Sequence, residues 1–512
     1  MGSLIIGAVT LIIPLVALFI SFMFAKLDAL KSAFVGFIVE LAMVVLFYPS
    51  ARIVDASIWG TFETYSIFGV IWTGMIFGIM YRETGLLRRL LDVLHSVIHS
   101  GWGLVAALGG VIQGILGAFN GFAVYPIAIP GIKELGYEPW RSATGYLVLA
   151  SWTIPLVSLW IAGSLASAAS HIPVPTMAPF VGMITIPLIF IAVFGGMKIL
   201  NEKFNKENLT IAALYIISGI VSIIVFAILI PSAYLLTLIA SGFLTLILFV
   251  LYSKHLKQDS TDIQKFSLSG ILKPFGPIIV GIVLILLWTY PLAGLVAKAN
   301  YVLKLWTYAP VSINLLTTPA FFIFVVALST YMFKIKPDEN KGKQKPATPV
   351  TKPLGVWSSL VKGSRMSGNS LLTTFLGATF AGVAIASGQV AAITKLMAEA
   401  GSLFYPIVLN IFSWGTGIVF ATGTVAAFLI SAPQVAVASA LTLPVGLLLG
   451  VVVIMTMGPA NPLKPSLIAY TATLAGAPSK DQSKIFNNAL VWMAIELVVA
   501  LITTFVITYL VI

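Results

Sequence analysis

Residues 113–131 read QGILGAFNGFAVYPIAIPG. The stretch lies inside an apolar region, yet it holds Gly114, Gly117, Gly121, Pro126, Pro130 and the side-chain amides of Gln113 and Asn120. Proline removes a backbone donor and blocks the preceding turn, and glycine weakens a helix. A continuous lipid-facing helix does not favour that composition. In a bilayer the freed backbone groups need partners, so a break here predicts a buried cavity or a ligand. A second apolar region is interrupted in the same way at 413–424, SWGTGIVFATGT.

The surroundings of both stretches set the class. Of 512 residues, 59% are hydrophobic and only 9% charged, against about 25% charged in soluble domains. Apolar runs long enough to span recur from end to end, where an outer-membrane barrel shows alternating segments of about 10 residues. The expected fold is an all-α polytopic membrane protein. It has about 12 transmembrane helices plus two re-entrant or broken helical hairpins, in two inverted repeats. The first run starts at Ser3 without a charged n-region and reads as a retained span, not a signal peptide. The net charge of +12 is a positive-inside bias, because Lys and Arg sit in short loops. The expected partner is therefore the lipid bilayer of the cell membrane and not a nucleic acid. There is no cysteine, which excludes disulfides and thiolate metal sites.

Three parts are expected. Residues 1–334 hold the first repeat and scaffold helices, 335–368 form a cytoplasmic linker, and 369–512 hold the second repeat. The linker is marked by KIKPDENKGKQKPATPVTKP at 334–353, with six Lys against two acids and no apolar run. In each half the order is span, amphipathic helix, interrupted region, span, and an irregular polar-tipped region. Spans are expected at 141–163 and 434–457. The first amphipathic helix sets Arg88, Arg89, Asp92, His95, Ser96 and His99 against Leu87, Leu90, Leu91 and Leu94, and it reads as interfacial. With 82–89 and 133–141 on the cytoplasmic side, 102–131 enters and leaves by one face. The region before 424 opens from the other.

Several motifs resemble the lactate permease family. They are the Glu83–Gly85 ETG, GFAVYPIAI at 121–129 followed by LGYEPWRSA at 135–143, ASGQVAAITKLMAEAG at 386–401 ahead of the Gly/Thr segment, and KPSLIAYTATLAG at 464–476. They run in order over roughly residues 65–165 and 365–510. The resemblance implies proton-coupled uptake of a 2-hydroxymonocarboxylate such as L-lactate or glycolate. The family's Glu before Gly-Phe is Asn120 here, its second glycine is Ala123, Tyr125 stands as an extra residue before Pro126, and Lys464 and Ser466 flank the second-half proline.

A small carboxylate near the midplane must exchange water for other donors. Backbone N–H groups at a helix N-terminus supply them, and glycine permits close approach. The candidate substrate-binding residues are Asn120, Gly121 and Phe122 at the first break. At the second they are Thr416, Thr422, Gly423 and Thr424, with Lys464 and Ser466 beyond. Lys464 reads either as a carboxylate partner or as a snorkelling loop lysine. Close helix packing is the competing role for the Gly and Thr residues. Proton coupling needs a titrating group in the membrane, and Glu40 and Glu496 are the candidates; a scaffold ion-pair role is the favoured alternative for each. Arg141 reads as an interface anchor, and His171 as a solvated loop residue. His95 and His99 have metal-pair spacing but no third ligand, so no metal is expected, and no cofactor. No nucleophile elbow or His/Cys cluster supports an enzyme. Other organic-anion transport, or passive facilitation, is the alternative function.

Overall fold

The computed structural model describes residues 2–49, 52–96, 98, 100–114, 124–159, 162–255, 272–289, 291–299, 301–303, 311–316, 318–335, 354–419 and 423–511. The first half runs α1 (Gly2–Met23), α2 (Ala29–Phe47), α3 (Ile53–Glu63), α4 (Tyr65–Glu83), α5 (Leu86–His95) and α6 (Gly101–Ala107), which continues as a π-helical turn at Leu108–Ile112. Then come α7 (Tyr125–Glu134), α8 (Pro139–Leu149), α9 (Thr153–Ser158), α10 (Ala162–Ser170) and α11 (Val174–Ile199). The middle contains α12 (Lys206–Ile223), α13 (Leu236–His255), α14 (Gly276–Thr289), α15 (Ala293–Ala297), an antiparallel pair β1 (Tyr301–Leu303) and β2 (Val311–Ile313), and α16 (Pro319–Ser329). The second half runs α17 (Val356–Ala386), α18 (Gln389–Ala398), α19 (Gly401–Val419), α20 (Gly423–Leu441), α21 (Val445–Met457), α22 (Pro465–Ala475) and α23 (Gln482–Val511).

Among the described residues nine helices are long and apolar enough to cross a membrane, or ten if α3 and α4, bent by 49°, form one span. Apart from the small β pair, the chain is a helical polytopic membrane protein. Its outer helices keep broad apolar faces, as on α1, where Ile5, Val9, Ile12, Val16 and Ile20 are exposed. At the centre lies α21, where 94% of the apolar window in 445–463 is buried, against 28% for α2.

Three expectations need correction. The 434–457 stretch is not one span: α20 ends at Leu441, Thr442 takes a left-handed φ of 55°, and Pro444, without an N–H, stands just before α21. The 141–163 stretch belongs to three helices, because the chain turns at Ala150–Trp152 and Pro155 follows. The stretch assigned to the linker already contains the start of α17 at Val356, since nothing after Gly355 stops a helix. Both ends of 336–353 are held at one place, where the Ile335 N–H donates to Thr84 O and the Leu354 N–H to Glu83 Oε2. Lys362 pairs with the same Glu83 at 3.2 Å. The apolar stripe of α5 packs against α4, α6 and α7.

Some left-handed residues recur at similar intervals in the two halves. Left-handed residues open the short amphipathic helices (Gly85, Gly388), precede the broken helices (Gly136, Thr442) and follow them (His171, Gly476). The first intervals are 51 and 54 residues and the second 35 and 34. His171 and Gly476 each stand two residues before a proline, Pro173 and Pro478. His171 is an exposed turn residue.

Candidate functional site

The chain reverses at both interrupted regions. In the first, a Cβ built on Gly131 would lie 3.1 Å from Leu108 Cδ1. Along an unbroken helix the two residues would stand about 34 Å apart. In the second, Tyr405 donates to Gln434 Oε1 at 2.7 Å, again far closer than the roughly 43 Å of a straight helix. The limbs on either side of 115–123, and those on either side of 420–422, therefore lie alongside one another. Asn120, Gly121, Phe122 and Thr422 lie outside the described residues.

Behind the second hairpin, α21 gives way to α22. Pro459, Pro462 and Pro465 remove three backbone donors within seven residues, so the helix stops at Met457. Asn461–Leu463 form a single 3₁₀ turn, and α22 restarts with Pro465 as its first residue and Lys464 at its cap. Lys464 is 1% exposed. This excludes the snorkelling reading. Its Nζ donates to Asn461 Oδ1 at 2.9 Å, and among the described residues no carboxylate pairs with it.

Gly423, the first residue of α20, presses on this break. A Cβ there would lie 2.1 Å from Thr456 O, 2.5 Å from Met457 Sδ and 2.7 Å from Lys464 Nζ. No side chain fits, so glycine at this position serves the close packing of α20 on the break. Thr424 Oγ1 stands 3.9 Å from Met457 Sδ. Thr416 is buried, but its hydroxyl bonds back to Phe412 O at 2.8 Å, which leaves it the packing role. Ser466 lines a narrow, mostly apolar crevice with Leu18, Ala33, Phe380 and Val419, with room for about one water molecule.

A buried polar chain joins this break to the first hairpin. Asn461 Nδ2 donates to the Tyr125 hydroxyl at 3.3 Å. The Tyr125 ring meets Tyr146 and Tyr470 edge-on, at 5.3 and 6.4 Å between centroids. Tyr146 donates to Gln113 Oε1. Gln113 and Tyr125 therefore stand on the two limbs that flank 115–123. Among the described residues Gln113 Nε2 and the Tyr470 hydroxyl are buried with no hydrogen-bond partner. The π-helical turn at Leu108–Ile112 is braced by Tyr215, which donates to Gly109 O at 2.8 Å.

The two broken helices touch at their breaks. A Cβ on Gly458 would lie 2.8 Å from Pro155 Cγ and 3.4 Å from Ser151 O. Ser151 Oγ contacts Val148 O at 2.7 Å and Glu496 Oε1 at 2.5 Å. Glu496 is fully buried on α23, which also packs on the Asn461 turn. Glu40, equally buried, lies elsewhere, on the inner stripe of α2 beside Gln389. Arg141 donates to Ile199 O at 3.0 Å and so caps α11, an anchoring role.

Of the sequence candidates, Gly423, Thr424, Lys464 and Ser466 come together, with Glu496 reached through Ser151 and Gly458. Sequence reasoning left out the three tyrosines, because aromatic residues in apolar helices look like core. Tyr125 had a signal in standing as an extra residue at a break. No protein-family model matches the chain, and no curated protein matches it.

Proposed function

We propose that this protein is a secondary active transporter for a small organic carboxylate, taken up with a proton by alternating access across the cell membrane. The observation that carries the reading is Lys464, an ammonium buried at a helix break with one hydrogen bond and no described counter-charge. Burying an unpaired ammonium costs several kcal/mol, so such groups in membranes pair or serve a function. A carboxylate ligand completes the set. It takes the free donors of Lys464, the N-terminal N–H groups of α22 and the Gln113 amide, with Tyr470 in reach of the same cluster. A 2-hydroxymonocarboxylate such as L-lactate or glycolate fits the single cation and the polar aromatic wall. The two hairpins are read as re-entrant from opposite faces, in inverted repeats with about 12 spans in all, and on that reading the touching breaks lie near the midplane.

Glu496 supplies the proton. The Ser151 hydroxyl has one hydrogen for two acceptors, Val148 O and Glu496 Oε1. With a proton on Glu496, the carboxyl donates to Ser151 Oγ, and Ser151 donates to Val148 O. Protonation also removes a negative charge from the neighbourhood of the arriving anion. Uptake of labelled lactate into proteoliposomes tests the reading. Accumulation above equilibrium is expected under an inward proton gradient in the parent and not in Glu496→Gln. Equal uptake with and without the gradient sinks symport, and transport by Lys464→Met sinks the site.

A further inference from the structure

Glu40 and Gln389 form a second buried polar pair, apart from the substrate site. Both residues are fully buried. The Glu40 carboxyl faces the Gln389 amide, yet none of the four polar atoms, Glu40 Oε1 and Oε2 and Gln389 Nε2 and Oε1, meets hydrogen-bonding geometry with any described group. Four such atoms together are costly in an apolar interior, and their chemistry admits few remedies. An ionised carboxylate only accepts. It takes a hydrogen from Nε2 but leaves Gln389 Oε1 pointing at negative charge with no donor. A hard cation such as Mg²⁺ or Ca²⁺ takes about six or more oxygen ligands, and the pair offers three. A neutral carboxylic acid donates its O–H to Gln389 Oε1 while its carbonyl oxygen accepts from Nε2. That two-bond ring satisfies all four atoms.

We infer that Glu40 is a proton-binding site of its own, and that its protonated ring with Gln389 latches α2 to α18. The placement gives the latch a purpose. Gln389 is the first residue of α18, directly after the left-handed hinge Gly388. α18 packs on α1 and α17 on one side and on both limbs of the second hairpin, α19 and α20, on the other. Loss of the proton breaks the ring and frees α18 at its hinge, so the hairpin that covers Lys464 loosens. Among the described residues no other charge acts on Glu40. α1 carries no titratable residue, α17 has Lys362 and Arg365 near its start, α18 has Lys395, and α22 has Tyr470 with Lys464 at its cap. None of these acts on the Glu40 carboxyl.

The test uses the full chain in nanodiscs without substrate, so it stands apart from the transport reading. Infrared spectra are compared between Glu496→Gln and the double variant Glu496→Gln/Glu40→Gln, which removes from both the other fully buried acid among the described residues. The difference between the two spectra is expected to contain the carbonyl band of a protonated carboxylic acid. Gln389→Leu should keep the band but shift it to the position of an unbonded acid. Glu40→Gln can close the same ring as an amide pair, so it is expected to fold and to keep its thermal stability. The chain has no cysteine, so Ser402→Cys at the base of the hairpin gives a single maleimide site. Its labelling should accelerate at alkaline pH and lose that response when Glu40→Gln is added. A difference spectrum without that band, or an alkaline response that survives Glu40→Gln, overturns the inference.

Discussion

Replacing Lys464 by Met separates a binding lysine from a structural one. Met keeps much of the length and apolar body of Lys and drops the ammonium. Three quantities decide the stability change. The variant escapes the desolvation cost of a buried ammonium, several kcal/mol. It forfeits the charge-assisted bond to Asn461, 2.9 Å in the parent, worth about 1.5–3 kcal/mol. It also leaves Asn461 Oδ1 without a donor, at about 1–3 kcal/mol. The sum predicts a variant within about 2 kcal/mol of the parent. Binding behaves otherwise. Truncating one partner of a buried, hydrogen-bonded charge pair costs about 2–5 kcal/mol, so affinity for lactate should fall about 30- to 5,000-fold. Thermal unfolding of protein in nanodiscs reads both effects. Lactate at about 100 times its parental Kd stabilises the parent by about 2.7 kcal/mol and the variant by less than about 1 kcal/mol. A variant that unfolds far below the parent, yet keeps the full lactate-induced shift, would refute the reasoning. Lys464 would then be a scaffold residue.

Gly423→Ala places a methyl carbon 2.1 Å from Thr456 O, a backbone atom. A loss at or above the upper end of the usual range of about 1–3 kcal/mol for overpacking is expected, with lactate uptake abolished in proteoliposomes. Tyr146→Phe leaves Gln113 Oε1 without its donor, at about 1–3 kcal/mol. Unfolding should show that loss, while the phenyl ring of the variant still packs edge-on to Tyr125. Outside the membrane, burial lifts the Asp92 carboxyl above its ordinary 3.8 despite Arg88, Arg89 and His95 nearby. A raised acid favours the folded state below its ordinary value and loses that contribution as pH rises through the raised one. Stability measured from about pH 4 to pH 7 should therefore fall less in Asp92→Asn than in the parent.

Membrane class, the amphipathic helices and the two interruptions were legible because each rests on local chemistry. Few charges, a leucine stripe and a run of glycine and proline are visible without tertiary knowledge. The division of α20 from α21 was harder, since hydropathy continues through Leu441–Val445 and only Thr442 and Pro444 mark the turn. The polar chain was hidden for another reason. Gln113, Tyr125, Tyr146 and Asn461 belong to separate elements, and nothing in any one segment says that they meet. Lys464 shows the same limit. Its burial depends on Gly423 closing over it from another helix, 41 residues away in sequence.

On the reading of two repeats, the proposed site lies where the breaks meet, and its chemistry comes from the differences between them. Left-handed residues in equivalent places bring two broken helices into contact, Gly458 against Pro155 and Ser151. A symmetric pair of neutral breaks would offer only backbone groups. Here the breaks differ. The first, Ala150–Trp152, has no charge of its own and borrows Glu496 from α23. The second carries Lys464 in its own cap. An acid lies at one break and a base at the other, so the proposed transport cycle takes the proton at the first and the anion at the second. Moving either group across the repeat should then separate proton movement from anion movement. A Ser151→Lys/Lys464→Ser exchange is the direct case. It places the ammonium against Glu496, where the two neutralise each other, and leaves the cap of α22 without a cation. Such a variant should fold with an internal ion pair and bind no carboxylate. Retained lactate binding would show that the donors of the breaks, and not the charge at Lys464, hold the anion.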